Sequence, residues 1–246
     1  MLFRSMVDEL PVFLLALLKE SPTRAVNFLR WFRALRQGPS HRSDELRWLV
    51  AGSIGLAPLA RRERWSAHIN DLFPMPLGAF SKNTADTFLQ QLSERYHLGL
   101  QPAQRAQILE HTGWLIPFYL NLFISELRNR KPLGPEAVTE AHEALLGTDA
   151  RKHFSPWWER LSDELGTTDA SAARRILLTA AAEPWGATTA MIKAAVEGHY
   201  SEAEREERRL WLLEVLENDG YIVEQEGRWL FRSPLLRVVW NRWSSR

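Results

Sequence analysis

The sequence predicts a mainly helical protein with a small α/β part at its amino-terminal end. Two short apolar stretches, at 2–7 and 46–54, have the length of buried parallel strands, and a helical pattern lies between them. From Ser81 onward, apolar residues recur with helical spacing almost to the end of the chain. The exception is a pair of short extended runs around residue 226, which predicts a β-hairpin.

The composition is that of a folded protein, since 45% of the 246 residues are apolar and 25% are charged. Disordered and collagen-like chains are therefore excluded. There is no cysteine, which removes disulfide frameworks, cysteine-based zinc sites and cysteine nucleophiles. The formal charge of +1 gives no global field that would attract nucleic acid or acidic lipid, so such binding would require a local patch.

The longest apolar run, 10–18, is about half as long as the ~20 residues that cross a hydrocarbon core. Acidic residues stand directly before this run, and no small-x-small cleavage site follows it, so it is a poor secretory signal. We therefore predict a cytoplasmic protein that does not interact with a membrane.

The first predicted strand, 2–7, ends in the acidic dipeptide Asp8–Glu9, and the second, 46–54, ends in a Gly-Ser pair that contains Ser53. A helix between them, over 25–37, gives the strand–helix–strand order of a right-handed crossover in a parallel sheet. Two strands are too few for a stable sheet. We therefore expect an upstream part of this sheet to lie outside the sequence.

A first break in the pattern falls over 73–80, where prolines and a glycine precede Ser81, the predicted N-cap of a new helix. The stretch 81–146 is predicted to be a small helical bundle. Pro102 and Pro135 stand where first-turn prolines would begin two of its helices.

A second break is expected near 147–155, before Pro156. After it the pattern predicts three helices, a hairpin and a closing helix, which is the order of a winged helix. These elements are expected at 172–182, 188–196, 203–218, 221–231 and 234–243. The two breaks predict three domains, which cover residues 1–80, 81–150 and 151–246.

The dipeptide Asp8–Glu9 is the strongest candidate for chemistry. Two consecutive carboxylates after a buried strand suit magnesium-assisted phosphoryl transfer, in which one acid holds the hydration shell of the metal and the other polarises the attacking water. Adjacent side chains of a strand point to opposite sides, so the two acids could divide these tasks. An Asp-Glu pair also occurs at ordinary solvated helix starts, and that alternative stays open.

Several segments, in this order along the chain, resemble archaeal-type ATPases, which are P-loop NTPases close to the AAA+ and STAND groups. The segments that carry the resemblance are 8–14, which begins Asp-Glu-Leu-Pro, the Phe, Leu and Arg residues of 28–37, 50–56, which begins Val-Ala-Gly-Ser, Pro-Met-Pro-Leu at 74–77 with Phe80, 111–117, which ends Gly-Trp-Leu-Ile-Pro, 213–221, and 231–237 with Trp240.

The resemblance implies that Asp8 is the magnesium-associated acid of a Walker B element, that Glu9 is the base that activates water, and that Ser53 is a polar sensor. Gly113 and Pro117 would belong to an element that closes over the adenine. It also implies an incomplete P-loop NTPase α/β core, a helical lid and a winged-helix domain, with ATP and Mg²⁺ as the bound groups.

The phosphate-binding loop of this family is absent from the sequence. No glycine is followed by lysine, so G-x-x-x-x-G-K-[ST] does not occur. That loop supplies the backbone amides and the lysine that hold the β- and γ-phosphates. We therefore expect the carboxyl-terminal portion of an ATPase, a nucleotide-dependent switch that does not bind or hydrolyse ATP alone. A truncated gene, a mispredicted start and a split protein would each explain the absent loop.

Expected partners are a separate N-terminal nucleotide-binding half or further copies of the chain, and a protein bound by the winged helix. The alternative function is a winged-helix DNA-binding transcriptional regulator. Charge argues against it, because the chain from Arg151 onward carries 14 basic and 15 acidic residues. A non-catalytic interaction remnant is a third hypothesis.

The remaining polar residues give weaker signals. No two histidines have metal-ligand spacing, so each is expected to be a surface or capping residue; they are His41, His68, His97, His111, His142, His153 and His199. The basic cluster of Arg61, Arg62 and Arg64 is predicted to lie in a solvated loop, with an arginine finger or phosphate contact as the alternative.

Overall fold

The computed structural model of the chain describes residues 3–37, 46–52, 55–75, 77–130 and 132–244. Most of these residues are helical, which confirms the prediction of a mainly helical protein with small sheets. Within the described ranges, no helix combines the length and the apolar character that a membrane span needs.

In chain order, the elements are β1 (Phe3–Val7), α1 (Leu10–Glu20), α2 (Pro22–Gln37), β2 (Leu46–Val50), α3 (Leu56–Arg62), α4 (Ser66–Ile69), α5 (Lys82–Arg95), α6 (Pro102–Thr112), α7 (Pro117–Arg128), α8 (Ala137–Leu145), α9 (Arg151–Leu165), α10 (Thr167–Ala182), β3 (Ala187–Thr188), α11 (Thr189–Ala195), α12 (Glu202–Asn218), β4 (Ile222–Gln225), β5 (Arg228–Phe231) and α13 (Pro234–Ser244).

Two units make up the structure. Unit 1 comprises Met1–Met75 and Ser201–Gly220, and unit 2 comprises Pro76–Tyr200 and Tyr221–Arg246. The chain therefore passes from unit 2 into unit 1 for α12 and returns to unit 2 afterwards. The boundaries at 80 and 150 that the sequence suggested stay predictions.

The sheet of unit 1 pairs β1 with β2 in parallel, and Val7 is level with Val50 in its register. One face of this sheet packs on a buried cluster supplied mainly by α1 and α2. That cluster contains Leu10, Leu14, Leu29 and Phe32, against which Val7, Trp48 and Val50 are partly buried. The opposite face carries the register partners Met6 and Leu49, which are 75% and 47% exposed.

Both predicted strands are present, but no helix was expected where α1 lies. The signal was there, because Leu10, Leu14 and Leu17 recur with helical spacing and Pro11 stands in the first turn. The same run is too short for a membrane span, and its length and spacing suit a short amphipathic helix. The helix predicted over 25–37 begins earlier, at Pro22.

The helical bundle predicted over 81–146 is confirmed as α5 to α8 of unit 2. Ser81 caps α5, since its side chain accepts a hydrogen bond from the Thr84 N–H at 3.1 Å, and Pro102 begins α6 as expected. The prediction for Pro135 was wrong. This residue lies in a turn two residues before α8, which begins at Ala137.

The break expected over 147–155 is shorter than predicted, because α9 begins at Arg151 and contains Pro156. A proline inside a helix removes a single backbone donor, and the helix still buries Phe154, Leu161 and Leu165 along one side. The burial of this apolar side offsets the lost hydrogen bond, and the helix continues through the proline.

The predicted hairpin is confirmed, with a tighter turn. Strands β4 and β5 are antiparallel and reach Gln225 and Arg228, so that the turn holds only Glu226 and Gly227, both at positive φ. Strand β3 was not predicted, and it pairs with β5 to give the order β3-β5-β4. Its two residues are too few to produce a periodic signal.

Candidate functional site

The acidic dipeptide Asp8–Glu9 occupies the connection between the end of β1 and the start of α1. Ala51, directly after β2, holds this connection from both sides. Its N–H donates to the Val7 carbonyl at 2.9 Å, and its carbonyl accepts from the Leu10 N–H at 3.2 Å. Both acidic residues are exposed, so their carboxylates can meet a ligand at the carboxyl edge of the parallel sheet.

Glu9 has an unusual backbone for a residue with a side chain. Its φ of 53° and ψ of 33° lie in the left-handed region, which costs about 1–2 kcal/mol in a non-glycine residue. Its N–H donates to the Asp8 Oδ1 at 2.9 Å, so the dipeptide forms a tight turn. The two acids thus follow the strand and are not part of it, and the expected alternation of their side chains along a strand does not apply.

The acidic dipeptide offers carboxylate oxygens as ligands for a metal ion. Magnesium is usually held by one or two carboxylates together with waters and substrate phosphates. Within the described residues, no group of three or more histidine and acidic side chains could hold a metal by itself. The exposed carboxylate of Asp8 fits a magnesium ion that shares its coordination with waters and a phosphate ligand.

The predicted sensor, Ser53, lies outside the described residues, so its role stays a prediction. Two described residues near it in sequence, Ala51 and Gly55, make hydrogen bonds to other parts of unit 1. Ala51 holds the acidic dipeptide, and the Gly55 N–H donates to the Asp219 Oδ1 at 3.1 Å. Asp219 follows α12, and its contact with Gly55 was not foreseen from the sequence.

Gly113 and Pro117, the predicted adenine contacts, belong to unit 2. Gly113 ends α6 at a φ of 64°, and a Cβ there would lie 2.4 Å from the Pro234 Cδ. Pro117 is the first residue of α7, a position where its lack of an N–H costs nothing. Both residues therefore have local structural reasons for their identity, and their part in nucleotide binding stays a prediction.

The cluster of Arg61, Arg62 and Arg64 does not form the expected loop, because the first two lie in the last turn of α3. Arg61 makes an ion pair with Glu214 of α12, and the guanidinium of Arg62 lies 4.9 Å from the centre of the Trp211 ring. The prediction of a loop was therefore wrong for these two residues, although the side chain of Arg61 is 61% exposed, as expected for a solvated residue.

His111 and His142, expected to be surface or capping residues, are partly buried and lie in the last turns of α6 and α8. Their rings stack at 4.1 Å between α6 and α8, beside Phe123. Burial lowers the pKa of His142, and the neighbouring His111 lowers it further. No sequence signal relates these two residues, since they lie 31 positions apart and neither has metal-ligand spacing.

Neither a scan of protein-family models nor a search of curated proteins gives a match for this chain. Among solved structures, a Walker-type ATPase of Pyrococcus abyssi is similar, with a TM-score of 0.59 and 18% sequence identity. The alignment covers 97% of this chain and 63% of that one. The chain has an ATPase-related fold.

At 18% identity this likeness concerns the fold alone. It agrees with the resemblance to P-loop ATPases that the motifs suggested, at that coarser level. The chain spans about 63% of the length of the similar structure. The lid, the winged helix, the nucleotide contacts and any activity stay predictions.

Proposed function

We propose that this chain is the carboxyl-terminal portion of an AAA+/STAND-like ATPase and acts as a nucleotide-dependent switch. The observation that carries the proposal is the position of Asp8–Glu9, at the carboxyl end of a parallel strand and beside the end of the next one. Ligands of α/β proteins bind at this edge of the sheet. The ATPase-related fold supports the assignment.

The two acids have different roles in this proposal. Asp8 binds the hydration shell of Mg²⁺, and Glu9 accepts a proton from the water that attacks the terminal phosphate. Magnesium, when bound, neutralises charge on the phosphates. The left-handed turn at Glu9 supports a functional role, because strained backbone persists where the surrounding structure needs one particular side-chain position.

The groups that hold the phosphates are expected outside this sequence, because G-x-x-x-x-G-K-[ST] does not occur in it. The sheet of unit 1 supports this view. Parallel sheets are normally covered on both faces, yet Met6 and Leu49 are exposed on one face of the two described strands. A nucleotide-binding half with its own strands and helices, from a separate chain or a further copy, would cover that face.

The proposal also assigns the rest of the chain. The bundle α5 to α8 acts as the lid, in which Gly113 and Pro117 border the adenine. The order α10, β3, α11, α12, β4 and β5 is typical of a winged helix. We propose that this part relays the nucleotide state to a protein partner.

The experiment compares the chain alone with a protein whose reading frame is extended upstream of Met1. We expect no ATP turnover from the chain alone and measurable turnover from the extended protein. Glu9→Gln should abolish turnover while nucleotide binding persists, because the amide cannot accept the proton. Asp8→Asn should raise the Mg²⁺ concentration needed for turnover.

A matched control is Glu207→Gln, which changes an exposed glutamate of α12 in the same way. It should leave turnover and binding unchanged. Turnover that survives Glu9→Gln would exclude the role of Glu9. An extended protein that binds no nucleotide would exclude the ATPase proposal itself and favour a non-catalytic interaction module.

A winged-helix DNA-binding regulator is the second candidate, favoured by the helix and hairpin order of α10 to β5. The helix that would enter the major groove is α12, which carries six glutamates and three arginines. Phosphate groups would repel this helix. Gel shifts over a salt titration decide the point, since a DNA-binding protein would lose affinity steeply as salt rises.

A further inference from the structure

We propose that Asp219 is a positioning residue for the carboxyl edge of the β1–β2 sheet, and that α12 is coupled through it to the turn that carries Asp8 and Glu9. The meaning of this coupling for nucleotide binding rests on the proposed function. The contacts that establish it belong to unit 1 and require no ligand.

The central contact joins two residues that are 164 positions apart. The Gly55 N–H donates to the Asp219 Oδ1 at 3.1 Å in a partly buried position. Asp219 is itself held at the end of α12, where its N–H donates to the Val215 carbonyl at 2.9 Å. A hydrogen bond to a carboxylate is stronger than one between neutral groups, so this acceptor holds the Gly55 backbone firmly.

Gly55 lies so close to the exposed side chain of Asn218 that any side chain at position 55 would require Asn218 to move. A Cβ on Gly55 would lie 2.1 Å from the Nδ2 and 2.8 Å from the Cγ of Asn218, the last residue of α12. The φ of Gly55 is −63°, which any residue adopts, so the backbone conformation does not require glycine. The constraint is the contact between the β2–α3 connection and the end of α12.

Two further contacts continue along α3. Arg61 pairs with Glu214, and Arg62 lies over the ring of Trp211. Trp211, Glu214 and Asn218 are spaced by three and four residues, so they share one side of α12. This side of α12 therefore lies along the chain from Gly55 to the end of α3. Of the three contacts, the one between Gly55 and Asp219 involves the residue that follows β2 most closely in sequence.

The same connection holds the acidic turn. Ala51, four residues before Gly55, makes the hydrogen bonds to Val7 and Leu10 that flank Asp8 and Glu9. A movement of α12 would act on Gly55 and, in this proposal, also on Ala51. Because such a coupling is reciprocal, a ligand that changes the acidic turn also changes the position of α12.

Helix α12 is well placed in the chain to transmit this change. Its neighbours in sequence, Tyr200 and Tyr221, belong to unit 2, so both ends of Ser201–Gly220 are joined to unit 2 by peptide bonds. A displacement of α12 therefore pulls on the covalent connections to α11 and β4. In the proposed switch, this is the step that converts the state of the acidic edge into a signal for the rest of the chain.

The test is amide hydrogen exchange of the full chain without nucleotide, in wild type, Asp219→Ala and Asp219→Asn. In Asp219→Ala we expect exchange at Gly55 to be about tenfold faster, as the loss of a hydrogen bond to a charged group implies. Exchange at Ala51 and Leu10 should also be faster. Asp219→Asn keeps an acceptor oxygen and should restore much of the protection at all three amides.

Glu207→Ala is the matched control, because it removes an exposed carboxylate from α12 away from this contact. It should change none of the three amides. Gly55→Ala provides a second route to the same result. Its added methyl group should displace α12 and accelerate exchange at Ala51 and Leu10, and the double variant Gly55→Ala/Asn218→Ala should reverse most of that effect.

Two outcomes would overturn the proposal. If Asp219→Ala accelerates exchange at Gly55 alone, the contact is a local cap without coupling to the acidic turn. If no amide changes, the contact has no positioning role. Should Asp219→Ala fail to fold by circular dichroism, the Gly55 and Asn218 variants decide by the same criterion. Loss of this coupling would leave the Glu9→Gln turnover test intact, and failure of that test would leave the exchange result intact.

Discussion

The sheet of unit 1 and the helical bundle of unit 2 differ in how completely their apolar side chains are buried. Along α7, the side chains of Tyr119, Leu120 and Phe123 have no exposed surface, whereas Met6 and Leu49 of the sheet are 75% and 47% exposed. The hydrophobic pattern of the bundle is thus satisfied by residues of this chain. The apolar side chains of the sheet are packed on one face only, and Met6 and Leu49 on the other face are available for contact with a further layer.

The same difference separates the predicted burial of the two strands from the burial that the structure shows. The two stretches were predicted to be buried parallel strands, and such strands are normally covered on both faces. In the described residues each strand is buried on one face. In our proposal, the second covering layer would come from the nucleotide-binding half.

The largest effect is expected in the bundle. Phe123→Ala removes a fully buried ring that lies beside the stacked His111 and His142, and should lower the free energy of unfolding by about 3–5 kcal/mol. Urea unfolding measures this change. Phe118→Ala, on the more exposed side of the same helix, is the control and should cost much less. Equal losses for the two variants would mean that the bundle core is not built around Phe123.

Next in size is the effect of Gly113→Ala, at the end of α6. The positive φ and the Cβ position 2.4 Å from Pro234 Cδ should together cost about 2–3 kcal/mol. Gly99→Ala is the matched control, because Gly99 has a similar φ of 66° but nothing within 4 Å of an added Cβ. Thermal unfolding should separate the two variants. Equal destabilisation of the two variants would show that backbone strain alone accounts for the stability lost in Gly113→Ala.

In unit 1, Asp71→Asn should cost about 2 kcal/mol near neutral pH. The Arg36 guanidinium, 5% exposed, donates to both carboxylate oxygens of Asp71 and to the His68 carbonyl. These hydrogen bonds from Arg36 hold the pKa of Asp71 below its ordinary value.

A lowered pKa in the folded state means that this stabilisation is complete above the ordinary carboxyl pKa of about 3.9 and is lost as the pH falls through the folded value. Urea unfolding at several pH values should therefore show a smaller difference between wild type and Asp71→Asn in acid. A difference that is constant with pH would contradict the role of the ion pair. Glu20→Gln, in the exposed pair with Arg24, should have little effect at any pH.

The smallest effect is expected at the exposed face of the sheet. Met6→Ser should change the free energy of unfolding of the chain alone by less than about 0.5 kcal/mol, because the side chain is already in water. Val7→Ser, one residue further on and packed against the core cluster, should cost clearly more. A large loss for Met6→Ser would show that this face is covered in solution, for example by a second copy of the chain.

Local features of the fold could be predicted from the sequence. Ser81 as a cap and Pro102 in a first turn are set by a few neighbouring residues, and both are found there. The position of the acidic dipeptide could also be predicted, since Asp8–Glu9 follows β1 as expected. The left-handed turn at Glu9 was not foreseen, because glutamate has no particular preference for that region.

Contacts between distant residues had no signature that a single sequence could reveal. The hydrogen bond between Gly55 and Asp219 links residues 164 positions apart. The partners of Arg61 and Arg62 lie on α12, a helix that the order of predicted elements assigned to the winged helix. Charge alone could not choose these partners, since the chain holds 30 acidic residues. These pairings depend on the tertiary fold.

The placement of Ser201–Gly220 in unit 1 affects how the protein can be divided. A fragment that ends anywhere between residues 76 and 200 contains the acidic dipeptide but lacks Trp211, Glu214 and Asp219. Gene fission or limited proteolysis in that stretch would therefore produce two fragments, neither of which carries a whole unit 1. Natural or engineered splitting of this polypeptide is thus compatible with an intact first unit only where the two fragments reassociate.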